Sequence, residues 1–494
     1  MNNKFDYSKL ETKLLILFFS FLSIFLFYFL GQSVSVYSKI IILSTSVTLI
    51  LFLKFNKYKN WVFLVSLFLY IGFLIFRSPE IMLEGRFFAE EGSIYWSYSL
   101  LNSKSNTFLY TPVIAGYYLL IANLQILLSS FVPIYYAPLV TVWVSMIISL
   151  LPSILFFLLT EKSLDNNRRI LSSILLLVLP SLNFLEVFAN SINSQTYLGL
   201  SVFVIYIFGL NNDSKKIKFL EYFILVLGSL SAYYSLILFP VLFFRYLKIK
   251  TIKIIFPLII WIFGVFIQLN VIFYTFMQSA FYGDKFKFKI NLDYFILILK
   301  KSISVNLFTE HFLNNSIILN ISLLLFIIFL IFLISSKNAE KFLYFLILLS
   351  FVLEIFLVIV GQASQGYSGR YAVVPSTVIF FIFIVYFSKA RRGEVVLIFA
   401  ITIGILNFSF QSGDYFIDCK NYCISWAEQI ENYENEQKII IHWPLGDGDP
   451  FWYTNLSSPK PNPSDFQKKV IGKENISKFY NLTLADILKF NFIK

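Results

Sequence analysis

The sequence predicts an all-α protein that crosses a membrane many times, with about 11–13 transmembrane helices. Of its 494 residues, 58% are hydrophobic and only 14% are charged, which leaves too little polar surface for a soluble chain of this length. Several long runs are almost wholly apolar and approach the ~20 residues that a bilayer core requires. These runs are Leu14–Leu30, Ile317–Ile334, Phe342–Val360 and Tyr371–Phe387.

The predicted spans follow the apolar runs in chain order. They are 14–30, 38–53, 61–76, 139–159, 170–185, 197–210, 254–277, 317–335, 342–360, 371–388 and 394–410. Residues 219–247 are predicted to form two short helices that meet near Ser231, because a single span there would place the following basic loops on the outer side. The first span resembles a signal peptide, but it is long and no small-residue cleavage pattern follows, so we expect it to stay uncleaved.

The distribution of lysine and arginine predicts the orientation, since cytoplasmic loops of membrane proteins are rich in both. Lysines precede the first span, so we expect a cytoplasmic N-terminus, which places residues 77–138 on the outer face. Residues 112–130 are apolar enough to span but contain Asn123 and Gln125. If they crossed, several basic loops would lie outside, so we expect this stretch to lie in the interface or to re-enter. Cytoplasmic basic loops also account for the net charge of +12 without a nucleic-acid partner.

The chain divides by composition into a transmembrane domain, residues 1–411, and a polar tail, residues 412–494. Turn-forming residues are frequent in the tail, and Lys438–His442 is typical of a short β-strand. We expect a small α/β domain on the outer side of the membrane. Cys419 and Cys423 are a poor metal site without nearby histidines, and a short-range disulfide is the alternative if the tail lies outside.

An acidic pair, Glu90 and Glu91, directly follows a predicted span on the outer side. Adjacent carboxylates repel each other, which can raise one pKa and prepare that group to act as a general base toward a hydroxyl. Aromatic neighbours such as Tyr95 could stack on a sugar or line a lipid tail. The alternative interpretation is a solvated pair of loop acids.

Three other places carry polar residues in an apolar context. The short outer loop before the helix at 371–388 contains Gln365 and Arg370, and a helix N-terminus with a guanidinium favours a phosphate. An interfacial anchor is the alternative for Arg370. Asn193 and Gln195 lie at another outer helix end, and Glu354 lies in the middle of a span, where an acid is costly. The sequence contains no Walker A loop, no H-E-x-x-H helix and no G-x-S-x-G elbow, which disfavours ATP-driven pumps, zinc proteases and serine esterases.

The stretch Phe87–Gly92 resembles the F-A-E-D-G pattern in the first large outer loop of one bacterial branch of the GT-C superfamily, with Glu91 in place of Asp. These are multi-span glycosyltransferases that use polyprenyl-phosphate sugars. Gly369–Tyr371 with Pro375 is similar to the G-R-Y…P stretch of that branch, and the split at 219–247 resembles the superfamily's short paired helices. The resemblance covers most of residues 61–410, although two additional helices precede the acidic loop here.

The resemblance implies an inverting glycosyltransferase in the bacterial plasma membrane. Glu90 or Glu91 would accept the proton of an acceptor hydroxyl, and Glu90 is favoured as the base. Arg370, Tyr371 and Arg86 would bind the phosphate of a polyprenyl-phosphate sugar donor, and the acceptor would be a glycan or a lipid. No cofactor is expected, with a divalent metal as the alternative. The residues expected to line the substrate site are Tyr95, Gln365, Asn193 and Gln195.

Two alternatives stay open. A transporter or lipid flippase would use Glu354 and the outer loops as gates without covalent chemistry, and sequence repeats, which would favour it, are not visible. An O-antigen-type polymerase or ligase would also transfer sugars, but it would be favoured by more outer arginines than Arg77, Arg86 and Arg370.

Overall fold

The structure is a computed structural model in which most of the chain beyond residue 58 is described. The described residues are 59–77, 80–112, 116–181, 189–210, 214–231, 236–249, 255–279, 316–335, 341–362, 373–390, 393–410, 426–434, 439–441, 453–455 and 481–492, with six positions between 296 and 303.

The described residues are mostly helical, which confirms the predicted helical fold class. The long apolar runs form helices because their backbone groups can be satisfied within the segment itself. Every predicted span beyond residue 60 coincides with a described helix to within a few residues; the spans at 14–30 and 38–53 lie outside the described residues. The helices before the tail are α1 (Lys59–Arg77), α2 (Ser97–Leu101), α3 (Lys104–Phe108), α4 (Leu120–Ser129), α5 (Ala137–Leu159), α6 (Asn166–Ser181), α7 (Ser194–Phe208), α8 (Lys215–Ser229), α9 (Phe239–Ile249), α10 (Ile255–Ser279), α11 (Ser316–Ser335), α12 (Lys341–Gln362), α13 (Val373–Lys389) and α14 (Gly393–Phe410).

The core lies among the central helices. Helix α5 packs against α6 and α7, α14 packs against α6, and α12 packs against α13. Helix α7 is buried along nearly its whole length, from Ser194 to Ile207. A helix that is apolar and buried on all sides in this way belongs to the centre of the packed core.

A break in the helical hairpin at 219–247 confirms the prediction of two helices, since α8 ends at Ser229 and α9 begins at Phe239. The break accepts two backbone donors at the start of α4. Leu120 N–H donates to the Leu230 carbonyl at 3.1 Å, and Ile121 N–H donates to Ser231 Oγ at 2.9 Å. The first N–H groups of a helix have no partner within it, so the break stabilises the N-terminus of α4.

Helix α4 has ten residues and is therefore about 15 Å long, half of the ~30 Å that a membrane span must cover. Its polar side chains are buried and paired. Asn123 donates its amide to the carbonyls of Phe108 and Tyr110, at 3.0 and 2.7 Å. This length and burial favour the interfacial or re-entrant interpretation of residues 112–130.

The C-terminal end of α7 is closed by the buried Arg245 of α9. Its guanidinium donates to the carbonyls of Ile205, Tyr206 and Gly209. Glu221 of α8 lies beside it and accepts a hydrogen bond from the Leu210 N–H at 2.9 Å. A cation at a helix C-terminus opposes the partial negative charge there, so this buried arginine stabilises three elements at once.

Two stretches among the described residues are long and apolar enough to cross a membrane by length and composition alone. They are Ile134–Leu159, with mean hydropathy 2.4, and Ile255–Thr275, with mean hydropathy 2.3. Helix α10 also exposes large apolar side chains every three or four residues along one face. These residues are Ile255, Phe256, Ile259, Ile262, Phe263, Phe266, Leu269 and Phe273.

The tail contains helix α15 (Trp426–Glu434), strands β1 (Ile439–Ile441) and β2 (Tyr453–Asn455), and helix α16 (Leu484–Phe492). The strands pair antiparallel, with Ile440 opposite Thr454. The strand predicted at 438–442 is therefore confirmed at its centre. Cys419 and Cys423 lie outside the described residues.

Candidate functional site

The acidic segment, residues 84–97, has an unusual backbone. Two π-helical stretches, Glu80–Glu84 and Glu91–Trp96, lie on either side of a short connection. Gly85 has φ +75° and a side chain there would meet the backbone nitrogen of Leu139 at 2.8 Å, so only glycine fits. Ala89 also has a positive φ, +43°, which costs ~1–2 kcal/mol for a residue with a side chain. Rare backbone conformations of this kind concentrate at functional sites.

Glu91 is completely buried and accepts hydrogen bonds from two backbone N–H groups. Its Oε2 accepts from Phe88 at 2.9 Å, and its Oε1 accepts from Ser191 at 3.0 Å. Burial raises the pKa of the Glu91 carboxyl above its ordinary value, and the hydrogen bond from Phe88 opposes the rise. Oε1 therefore joins the acidic segment to the loop before α7, whereas Oε2 closes a turn within the segment itself.

Glu90 has a different environment, because it is half-buried while its neighbour is fully enclosed. Two adjacent carboxyl groups in unlike surroundings can perform different tasks, one chemical and one structural. The exposed fraction of Glu90 makes it the member of the pair that a substrate could reach.

Two of the predicted substrate residues lie where the preceding loop enters α7: Asn193 is the last residue of the loop, and Gln195 lies in the first turn of the helix. Asn193 N–H donates to Asn190 Oδ1 at 2.8 Å and closes the loop. Gln195 is buried and donates to the Tyr117 hydroxyl at 3.0 Å, and its Oε1 has no hydrogen-bond partner among the described residues. A buried amide oxygen of this kind can accept a hydrogen bond from a ligand hydroxyl. Because Ser191 contacts Glu91, this loop and the acidic segment are neighbours.

The tail covers the acidic segment. The hydroxyl groups of Ser97 and Thr454 lie 2.6 Å apart, and Thr454 is also 3.3 Å from the Gly92 carbonyl. The indole N–H of Trp426 donates to the carbonyl of Tyr135 at 3.0 Å. The Trp426 ring packs edge-on against Phe87 and Trp96, with ring centroids 5.5 and 5.9 Å apart.

The predicted phosphate-binding residues are only partly within the described chain. Arg86 is half-buried, and burial lowers the pKa of its guanidinium while Glu84 opposes the change; an arginine stays charged regardless. Tyr95 is buried and packs edge-on against Tyr110 with centroids 5.5 Å apart, so its ring is part of the packing beneath the acidic segment. Arg370, Tyr371 and Gln365 lie outside the described residues.

Comparison with known proteins gives no relative. No family model, curated protein or solved structure matches the chain. The site is therefore interpreted from its own residues.

Sequence reasoning missed several polar residues around this site. Gln125 Oε1 accepts from Ser145 at 2.7 Å, and its amide donates to Ser194 at 3.1 Å, which joins α4, α5 and α7. Isolated serines and threonines in apolar helices give no sequence signal, and the same is true of Thr454.

Among the described residues, no group of three histidine, cysteine, aspartate or glutamate side chains is placed to hold a metal ion.

Proposed function

We propose that the chain is a polytopic membrane protein that transfers a sugar from a polyprenyl-phosphate donor to an acceptor hydroxyl at the outer face of the membrane. The observation that carries the proposal is the division within the acidic pair. Glu91 is enclosed and its oxygens accept from backbone N–H groups, whereas Glu90, the adjacent residue, is half-buried. A positioned, accessible carboxylate beside a rigid turn is what a general base requires.

A membrane location is supported by the exposed apolar faces. Helix α11 continues the pattern of α10, with exposed Ile317, Ile321, Leu324, Ile328 and Ile331. Contiguous apolar surface along two helices of 20 or more residues would be unstable in water and is stable against lipid tails. In this proposal the tail, with its two strands and two described helices, lies on the outer side of the membrane.

In the proposed reaction, Glu90 accepts the proton of the acceptor hydroxyl. The oxygen attacks the anomeric carbon as the bond from that carbon to the phosphate oxygen breaks, and polyprenyl phosphate leaves with the bonding electrons. A single displacement inverts the anomeric centre. Glu91 holds the acidic segment against the loop before α7, and Asn193 of that loop and Gln195 in the first turn of α7 would contact sugar hydroxyls.

The phosphate in this mechanism is bound by arginine, whose planar guanidinium forms forked hydrogen bonds with phosphate oxygens. On sequence grounds, Arg370, Tyr371 and Arg86 bind the donor phosphate in this proposal. Gln365 lines the site beside the donor. The proposed acceptor is a glycan or lipid of the cell envelope. No metal is required, because a monophosphate leaving group can be stabilised by guanidinium groups alone.

The test is transfer of labelled sugar from lipid donor in membranes that contain variants of the acidic segment. Glu90→Gln keeps the size of the side chain and removes the basic oxygen, so transfer should fall by ~10²–10⁴-fold. Glu84→Gln, the same change at an exposed position six residues earlier, is the matched control and should retain activity. Unchanged transfer in both Glu90→Gln and Glu91→Gln would refute the mechanism.

A transporter is the second candidate, and one observation favours it. Glu354 of α12 is fully buried, and neither carboxyl oxygen has a hydrogen-bond partner among the described residues. Buried acids within membrane helices are frequent in ion and proton pathways. Substrate flux that depends on Glu354 and proceeds without any sugar-transfer product would support this candidate over the transferase.

A further inference from the structure

The second π-helical stretch, Glu91–Trp96, is held at its end by a cluster of hydroxyl groups. The Gly92 carbonyl accepts from the backbone N–H of Ser97, five residues later, as a π-helix requires. The Ser97 hydroxyl also donates to this carbonyl, at 3.1 Å. The Thr454 hydroxyl reaches both groups, and Ser97 and Thr454 are fully buried.

This cluster determines how the acidic pair is oriented. A π-helical turn contains one residue more than an α-helical turn, and each residue rotates the helix by about 100°. If the stretch relaxed to α-helix, Glu90 and Glu91 would rotate by about that angle relative to Ser97 and α2. The hydroxyl cluster favours the π form because one of its two hydroxyls at a time gives the Gly92 carbonyl a further donor, while the other donates within the Ser97–Thr454 pair.

The strand that carries Thr454 is fixed in place by other tail contacts. Strand β2 pairs with β1, and Trp426 packs in the ring cluster beside the acidic segment. Further along the tail, the Leu482 carbonyl accepts from the Thr111 N–H at 3.0 Å. The Leu484 N–H donates to the Leu109 carbonyl at 2.7 Å. Strand β2 therefore has pairing contacts of its own, so Thr454 is held beside the acidic segment by more than its own hydroxyl.

We propose that Thr454 is a positioning residue for the acidic pair, acting through Gly92 and Ser97 to keep the π-helical turn that orients Glu90. The catalytic part of this inference rests on the proposed function. The C-terminal tail is then a component of the outer site, and the site is incomplete without it.

The test compares Thr454→Val, which removes the hydroxyl at nearly constant shape, with Thr454→Ser, which keeps the hydroxyl. Thr454→Val should lower kcat for sugar transfer by about 10²-fold or more, since misplacing a reacting group by only ~1 Å costs about that much, while KM for the lipid donor stays unchanged. Thr454→Ser should restore kcat. Amide hydrogen exchange in residues 88–97 should accelerate in Thr454→Val and stay at the wild-type rate in Thr454→Ser.

Two further variants keep the test decisive. Thr483→Val is the matched control, since the Thr483 hydroxyl bonds to Asp486 within the tail at 2.6 Å, and it should leave kcat and the exchange of residues 88–97 unchanged. Ser97→Ala removes the partner hydroxyl without altering the tail. It should reproduce the loss of kcat, and combining it with Thr454→Val should add little because the two groups act together.

The outcomes separate this inference from the proposed function. If Glu90→Gln abolishes transfer while Thr454→Val and Ser97→Ala turn over at the wild-type rate, the positioning role is refuted and the transferase stands. Amide hydrogen exchange of residues 88–97 at the wild-type rate in both Thr454→Val and Ser97→Ala would also refute the positioning role. If the wild-type chain transfers no sugar but exchange accelerates as expected, the proposed function and the catalytic role of Thr454 are refuted, and the tail's control of the backbone geometry stands.

Discussion

Replacing Glu91 should destabilise the acidic segment in proportion to the number of hydrogen-bond acceptors that are lost. The carboxyl accepts from the N–H groups of Phe88 and Ser191 in a site closed to water. Glu91→Ala leaves both N–H donors buried without an acceptor. Each such donor costs ~1–3 kcal/mol, so the free energy of unfolding should fall by ~2–6 kcal/mol. Glu91→Gln keeps one acceptor oxygen and leaves one N–H donor without an acceptor, so the free energy of unfolding should fall by ~1–3 kcal/mol.

The measurement is chemical unfolding of the purified protein in lipid nanodiscs, together with amide exchange at residues 88–93 and 189–193. Exchange should accelerate in both stretches, because Glu91 joins them. Glu90→Gln is the matched control and should cost little stability, since that residue is half-buried and the fully buried carboxyl stays in place. Wild-type stability and exchange in Glu91→Ala would refute the structural role assigned to this residue.

The remaining predictions concern charge and orientation. Because the pKa of the Glu91 carboxyl is raised, the folded state favours the neutral form of this group. The contribution of Glu91 to the free energy of unfolding is therefore complete below the ordinary pKa of 4.5 and declines as the pH rises through the raised pKa. A plot of stability against pH should lose this decline in Glu91→Gln. Arg370→Ala should weaken binding of the lipid donor by ~1.5–3 kcal/mol. Arg370→Lys should restore binding only in part, because an ammonium group cannot form the paired hydrogen bonds of a guanidinium. Full activity in Arg370→Ala would mean that Arg370 is an interfacial anchor. Arg245→Gln should lower stability by ~3–5 kcal/mol, as expected for breaking a buried charge pair, and unchanged thermal denaturation would contradict this. Reporter fusions at Asn102 and Lys494 should both signal the outer side, and a cytoplasmic signal at either would overturn the orientation.

The helices could be predicted from the sequence because their signal is local. A run of apolar residues predicts its own helix, and the break near Ser231 followed from the charges of the loops on either side. The short strand at Ile439–Ile441 was also visible, since a run of β-branched residues followed by turn-forming residues is a local signal.

The contacts that build the candidate site could not be predicted, because they join residues far apart in the chain. Glu91 and Ser191 are 100 residues apart, and Ser97 and Thr454 are 357 apart. The sequence indicated that Glu90 and Glu91 were worth attention, but it could not distinguish the enclosed acid from the half-buried one. That distinction depends on burial, which is a property of the packed chain.

The long separation between Ser97 and Thr454 has a consequence for biosynthesis. At ordinary translation rates of ~5–20 residues per second, the strand that covers the acidic segment is made on the order of 20–70 s after that segment. During this interval Phe87 and Trp96 lack the ring of Trp426, and the hydroxyl of Ser97 lacks its partner. A chain that stops before residue 454 would therefore lack these contacts at the acidic segment even with all its earlier helices in place.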